Sequence, residues 1–171
     1  MTHLCLLLSS HLLVTEWCHS WYCRILCICV FLAICGVLIS QHRLGLYESR
    51  KAYHDGNYKD AYNGIRYYLM HKDPCVKPGD ISLCVKCLKR LNRVHETDEF
   101  LDNMVEVYKD RWRFLWRIAE QIKTLPHYGY IVGGRFHRGR HRGGGRYVNS
   151  FERDRIRSLQ IMAMCEKLLK K

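Results

Sequence analysis

The stretch GNYKDAYNGIRYYL, residues 56–69, decides the fold class. It opens on a Gly-Asn pair that can end one helix and cap the next, and apolar residues then recur on one helical face. That face consists of Tyr58, Ala61, Tyr62, Ile65 and Leu69. A helix with one apolar side buries that side against other elements. The sequence therefore predicts an all-α fold built on this helix.

Helical patterns continue on both sides of this stretch. Residues 44–53 predict a preceding helix, and Asp73-Pro74 ends the second one because the residue before proline avoids helical geometry. A third helix follows the Pro78-Gly79 turn. A single long fourth helix is predicted from Thr97 to the residues before Pro126, since its apolar residues alternate steps of four and three. These are Leu101, Val105, Tyr108, Trp112, Leu115, Ala119 and Ile122. Residues 44–125 are therefore interpreted as one helical-hairpin module.

The N-terminal 40 residues are apolar and carry only Glu16 and Arg24 as charged side chains. Residues 22–40 would span roughly 28 Å as a helix, close to the thickness of a bilayer core. They predict a transmembrane or signal-anchor helix and a single-pass membrane protein. A cleaved signal peptide and a translation start near Val14 remain alternatives. Basic residues after the anchor favour a cytoplasmic C-terminal part.

Residues 126–148 form a Gly/Arg/His-rich segment, interpreted as a loop or a short hairpin around Gly133-Gly134. Guanidinium groups bind phosphates, and tyrosines can stack on bases. The segment contributes strongly to the chain's formal charge of +12. A structured loop is the favoured interpretation, and binding of nucleic acid, acidic lipid headgroups or another partner is the alternative. The candidate anion-binding residues are Arg135, Arg138, Arg140, Arg142 and Arg146, with Tyr128, Tyr130, Phe136 and Tyr147 as candidate stacking residues.

Residues 149–171 predict a final amphipathic helix that Asn149 can cap. Asp154 alternates there with arginines and is expected on a solvated surface.

Chemistry-bearing residues give weak signals. Cys84 and Cys87 form a C-x-x-C pair with His71 and Cys75 upstream, which suggests zinc only weakly because a second pair is absent. A Cys75–Cys84 disulfide would require export. No triad, metalloprotease or phosphate-loop motif occurs in the 171 residues. The sequence therefore predicts a non-enzymatic protein without a metal or cofactor.

Residues 56–61 (GNYKDA), followed by Ile65, Leu69 and Pro74, resemble the second half of a tetratricopeptide repeat, and residues 88–105 give a weaker second match. This resemblance implies stacked helical hairpins that bind a protein partner. The expected first helix lacks the family's Leu-Gly pair. The candidate contact or core aromatics are Tyr62, Tyr67, Tyr68, Trp112 and Trp116.

Residues 125–130 (LPHYGY), 142–148 (RGGGRYV) and 152–155 (ERDR) resemble a linker in the helical N-terminal region of large bacterial alpha-2-macroglobulin-like proteins. That resemblance implies an exported, truncated piece of a protease-trapping protein. The chain lacks a Cys-Gly-Glu-Gln thioester motif.

Together these patterns favour a membrane-anchored helical-repeat module that binds a protein partner. The alternative function is membrane-associated RNA binding through the Arg/Gly-rich segment.

Overall fold

A computed structural model describes residues 21, 24–26, 28–30 and 45–170. The chain divides into two compact units, Met1–Leu44 and Gly45–Lys171. The described residues of the first unit are helical. Among the described residues, no helix has both the length and the apolar character needed to cross a bilayer. The predicted span at 22–40 lies mostly outside them, so the membrane anchor has no support from the structure.

The second unit is mostly helical, as predicted, but it also contains a small sheet. The first helix, α1, covers residues 45–54. It is followed by α2 (Tyr58–Met70), α3 (Pro78–Arg90), a 3-10 turn (Val94–Glu96), α4 (Thr97–Val107), α5 (Trp112–Lys123), β1 (Tyr128–Val132), β2 (Arg135–Arg138), β3 (Arg146–Asn149) and α6 (Phe151–Leu169). The helices α1, α2 and α3 lie where the sequence predicted them.

The predicted face of α2 forms part of the core, since Ala61, Ile65 and Leu69 have no exposed surface. The turn before α2 places Gly56 at φ +85°, a conformation that glycine adopts without strain. Gly64 faces Ser49 of α1 so closely that a β-carbon there would collide with the serine hydroxyl. A small residue at this position therefore lets α1 and α2 pack tightly.

A partly buried ion pair ties α1 to the start of α3. The guanidinium of Arg50 donates to both carboxylate oxygens of Asp80, at 2.8 and 2.7 Å. Asp80 also accepts the backbone N–H of Lys77 at 2.7 Å and so caps α3. The helix α3 packs against α2 and α5 more extensively than against α4.

The prediction of one long helix from Thr97 to residue 125 is wrong, because the helix is interrupted between Val107 and Trp112. Tyr108 ends α4 and is fully buried. Its hydroxyl donates to the Leu69 carbonyl oxygen at 2.8 Å, and its ring stacks on Phe114 at 4.0 Å. The break rotates the apolar stripe, so that Phe114 is buried and Trp112 is 38% exposed.

The all-α prediction fails between Tyr128 and Asn149, where three strands form an antiparallel sheet of order β2-β1-β3. The predicted hairpin around Gly133-Gly134 is confirmed as β1 and β2. The third strand was not predicted. Tyr130 lies at the centre of the sheet and pairs with His137 on one side and Tyr147 on the other.

The last helix, α6, runs antiparallel to α5. The Ser158 hydroxyl donates to the Ala119 carbonyl oxygen at 3.1 Å, and the Cys165 thiol lies 3.5 Å from the Trp112 carbonyl oxygen. Contacts along most of both helices therefore join the C-terminal segment to the helical module.

Candidate functional site

The two faces of the sheet have different surroundings. Side chains alternate along each strand, so the strand pairing assigns each residue to one face. The inner face carries Phe136 and Arg138 and meets α4 and α6. The opposite face, called here the tyrosine face, carries Tyr128, Tyr130, His137 and Tyr147.

The rings of the tyrosine face contact one another. Tyr128 and Tyr147 lie nearly parallel with centroids 6.3 Å apart. Tyr130 meets Tyr147 edge-on at 5.8 Å. Tyr147 is 60% exposed, so its ring offers an open stacking surface beside two partly covered ones. The period-two spacing of Tyr128 and Tyr130 was the signal for this face in the sequence. Phe136, predicted with them as a stacking residue, lies instead on the inner face, with its ring centroid 4.0 Å from the Arg153 guanidinium.

The segment 139–145 crosses this face. It leaves β2 beside Tyr128, where Gly139 N–H donates to the Tyr128 carbonyl oxygen at 2.9 Å, and enters β3 opposite Ile131. His141 lies 6.2 Å from the Tyr130 ring. A β-carbon at Gly145 would come within 3.0 Å of the Val132 side chain. The crossing segment therefore passes over Tyr130, and its two arginines, Arg140 and Arg142, are exposed.

Arg138 does not belong to this surface, which corrects its assignment as an anion-binding residue. Its side chain is fully buried and donates to both oxygens of Asp154 and both oxygens of Asp98, at 2.7–3.0 Å. It also donates to the Pro126 carbonyl oxygen at 2.6 Å. Asp154, expected in solvent, is buried with it. The pair joins the sheet to α4 and α6.

Electrostatics in this cluster favour the ionised forms. Burial alone would raise the pKa of Asp154, but hydrogen bonds from Arg138, His127 and Ser150 outweigh it and hold that pKa well below its usual value. Burial alone would lower the pKa of Arg138, and its hydrogen bonds to Asp154 and Asp98 raise it instead. The cluster is therefore a neutralised structural link.

The other four predicted arginines share one property: they are exposed, and none forms an ion pair with any described residue. They are Arg135, Arg140, Arg142 and Arg146. Residues 125–149 contain no Asp or Glu that could neutralise them. Elsewhere in the described chain, several arginines contact carboxylates: Arg50, Arg93, Arg117, Arg138, Arg153, Arg155 and Arg157. Strand pairing puts Arg135 on the tyrosine face, whereas Arg146 pairs with Ile131 and lies on the other side of the sheet, exposed at the start of the edge strand β3. The tyrosine face and the four arginines around it are called here the arginine–tyrosine surface.

The predicted contact aromatics divide between core and surface. Tyr62 is buried, and Tyr68 is half-buried with its ring 5.4 Å from that of Tyr67. Tyr67 is 53% exposed on α2. Trp112 and Trp116, one turn apart on α5, are 38% and 47% exposed. The structure therefore leaves three of the five available to a partner.

Cys84 and Cys87 lie in the core without exposed surface. Burial raises the pKa of the Cys84 thiol well above its usual value and that of Cys87 to about 11, so both thiols are protonated at neutral pH. Cys75 and Cys84 are both free, so the disulfide considered between them is not formed. Within the described residues, no three His, Cys, Asp or Glu side chains approach closely enough to hold a metal ion. The weak zinc interpretation therefore has no structural support.

His127, Asp154 and Ser150 superficially resemble a hydrolase triad. The His127 Nδ1 lies 2.9 Å from Asp154. The Ser150 hydroxyl, however, donates to the same carboxylate at 3.0 Å, and not to the imidazole. A nucleophile must hydrogen-bond to its base, so this arrangement does not activate the serine.

No family model, curated protein or solved structure matches this chain.

Proposed function

We propose that residues 45–170 form a non-enzymatic module that binds single-stranded RNA through the arginine–tyrosine surface. One observation carries the proposal: four exposed arginines, without carboxylate partners among the described residues, belong to the same small sheet and crossing segment as the exposed ring of Tyr147. Positive side chains without carboxylate partners repel one another, and a bound polyanion lowers the free energy by neutralising them.

The chemistry of the two residue types is complementary on a nucleic acid. Guanidinium groups donate two parallel hydrogen bonds to a phosphate, and glycines at 143–145 leave the crossing segment free to follow a backbone. Tyrosine rings stack on bases of any sequence. The ligand is single-stranded because the faces of bases in a duplex are covered by their neighbours.

Binding of a short fluorescein-labelled oligouridine to the full chain, followed by fluorescence anisotropy, tests this function. The arginine variant replaces Arg140, Arg142 and Arg146 together by alanine and should weaken binding at least about tenfold. Tyr147→Ala should cost about 1–3 kcal/mol of binding free energy because it removes base stacking. The charge-matched lysine control replaces three exposed lysines outside the surface by alanine: Lys51, Lys59 and Lys109.

Equal weakening in the arginine variant and the lysine control would show that only the total charge of the chain matters. The proposal also fails if Tyr147→Ala binds as tightly as the parent chain. A further variant with lysine in place of the three arginines separates charge from geometry, because lysine keeps the charge but lacks the planar two-pronged donor.

A protein partner is the second candidate function, favoured by the exposure of Tyr67, Trp112 and Trp116. Exposed aromatics of this size commonly anchor protein interfaces. In this second proposal the helices α1 to α4 act as tetratricopeptide-like hairpins that the N-terminal residues tether to a membrane. The module then corresponds to the helical N-terminal region of an alpha-2-macroglobulin-like protease-trapping protein.

The two candidates are separable by mutation. Trp112→Ala with Trp116→Ala should abolish co-purification of a partner and leave oligouridine binding unchanged. A partner that this double variant retains, but that the arginine variant fails to retain, would contradict the second candidate.

A further inference from the structure

A groove lies beside the buried Arg138–Asp154 cluster, between the end of α5 and the first half of α6. Its volume is about 300 Å³, at the lower end of the range for small-molecule sites. It is called here the α5–α6 groove and is lined by Lys123, His127, Phe151, Arg155, Leu159 and Met162, among others. The exposed wall is mostly apolar, and Phe151 and Leu159 are 51% and 55% exposed.

Lys123 and His127 line one end of the groove, and Leu159 and Met162 line the other, while nearly all of its exposed lining is apolar. Lys123 ends α5 and His127 precedes β1, and both lie near the beginning of the antiparallel α6. Leu159 and Met162 lie two to three turns further along α6. The distance along the helix from Phe151 to Met162 is about 16 Å. This layout matches an amphiphile with a short head and an extended tail.

The charges at the end lined by Lys123 are positive. Asp154 lines the groove, but Arg138 and Ser150 already satisfy its carboxylate. Arg155 contacts Glu152 at 3.1 Å with both side chains mostly exposed, so this pair is weak. Lys123 forms no ion pair with any described residue. An anionic head group at this end would therefore pair with the ammonium group of Lys123.

His127 adds a second polar group. Because Asp154 is ionised, the Nδ1 of His127 carries a proton toward it and leaves Nε2 for a ligand. An imidazole with a proton on each ring nitrogen can donate from Nδ1 to Asp154 and from Nε2 to a second carboxylate. The ring also meets Phe151 edge-on at 5.2 Å, which holds its orientation.

We propose that the α5–α6 groove binds a free medium-chain aliphatic carboxylate. The carboxylate contacts Lys123 and His127, and the hydrocarbon tail lies along Leu159 and Met162. This site is separate from the arginine–tyrosine surface and does not depend on RNA binding.

Titration of the full chain with decanoate below its micelle concentration, monitored by calorimetry, tests the site. Decanol has the same tail without the charge and should bind about tenfold more weakly. Lys123→Ala should weaken decanoate and leave decanol unchanged. Leu159→Gln should weaken both ligands about tenfold, since it removes apolar wall. The matched control is Leu169→Gln, an exposed α6 leucine outside the groove, which should change neither.

Circular dichroism of each variant establishes that it is folded. The proposal is overturned if decanoate does not saturate one site, if decanol and decanoate bind equally, or if Leu159→Gln and Leu169→Gln behave alike. Phosphatidylcholine vesicles provide the other source of acyl chains. Vesicle binding that Leu159→Gln abolishes, without saturable decanoate binding, would assign the groove to a membrane surface and overturn the proposal.

Discussion

Arg138 and Arg140 lie two positions apart in one basic segment, yet the fold gives them opposite surroundings. Arg138 is buried between two carboxylates, and Arg140 is exposed. Replacing Arg138 by methionine leaves Asp98 and Asp154 without their main partner, so we expect a loss of about 3–5 kcal/mol in the free energy of unfolding. Urea denaturation measures this loss.

The matched variant Arg140→Met should change the free energy of unfolding by less than about 0.5 kcal/mol, because Arg140 makes no buried contact. A small effect of Arg138→Met would mean that the cluster is not a structural link.

The pH dependence of stability follows from Asp154. Burial acts to raise its pKa, but hydrogen bonds, chiefly from Arg138, hold that pKa below its usual value in the folded chain. A depressed carboxyl pKa stabilises the fold above the unfolded-state pKa of about 3.9, and this contribution is lost as the pH falls further. We expect Asp154→Asn to destabilise the chain at pH 7 and to show a shallower loss of stability below about pH 4.

Urea denaturation at a series of pH values from neutral to acidic measures both effects. Asp110→Asn removes an exposed carboxylate with one long contact to Lys72, at 3.9 Å, and serves as the control. If the stability of the Asp154 variant and that of the parent chain fall equally steeply below about pH 4, Asp154 is not the source of the pH dependence.

At the scale of single elements, the helices α1, α2 and α3 were predictable because each has local stop and start signals around one apolar face. The break between α4 and α5 was not. The heptad pattern continues through Tyr108 and Trp112, and only the tertiary contacts of Tyr108 with Leu69 and Phe114 show why the helix ends. Local periodicity does not contain these long-range contacts.

The sheet shows the same limit. Gly133-Gly134 predicts the β1–β2 hairpin, but β3 follows a glycine-rich crossing and pairs with β1 only in the folded chain. The sequence therefore predicts that arginines and tyrosines make up this surface, but it does not predict which of them lie on it. Arg138 belongs to the core because it lies on the inner face where Asp98 and Asp154 accept its hydrogen bonds.

Gly129 makes the close approach between β1 and β2 possible. A β-carbon there would lie 2.7 Å from the Phe136 ring and would collide with the His137 carbonyl oxygen. We expect Gly129→Ala to cost about 1–3 kcal/mol in the free energy of unfolding because the neighbouring strand must shift. Gly144→Ala has open space and an unstrained backbone, so it should be nearly neutral. Thermal denaturation of the two variants compares them, and equal melting temperatures would contradict the packing argument.

At the scale of the whole molecule, the formal charge of +12 and the local arginine cluster predict different salt dependence. An RNA held only by the total charge of the protein has no fixed set of phosphates in contact with arginines. A ligand on the arginine–tyrosine surface neutralises at most its four arginines, so the logarithm of the affinity should fall against the logarithm of salt concentration with a slope of about −2 to −3. Anisotropy titrations with oligouridine across salt concentrations give this slope.

Removing Arg140, Arg142 and Arg146 should flatten the slope by about 0.7 for each phosphate that the surface no longer neutralises. The lysine control has the same net charge as the arginine variant but should keep the slope of the parent chain. Stacking by Tyr147 releases no counterions, so Tyr147→Ala should lower the affinity at every salt concentration without changing the slope. Two results would show that the ligand responds to the charge of the whole chain rather than to this surface. One is a parent slope much steeper than four neutralised phosphates allow, and the other is an equal change of slope in the arginine variant and the lysine control.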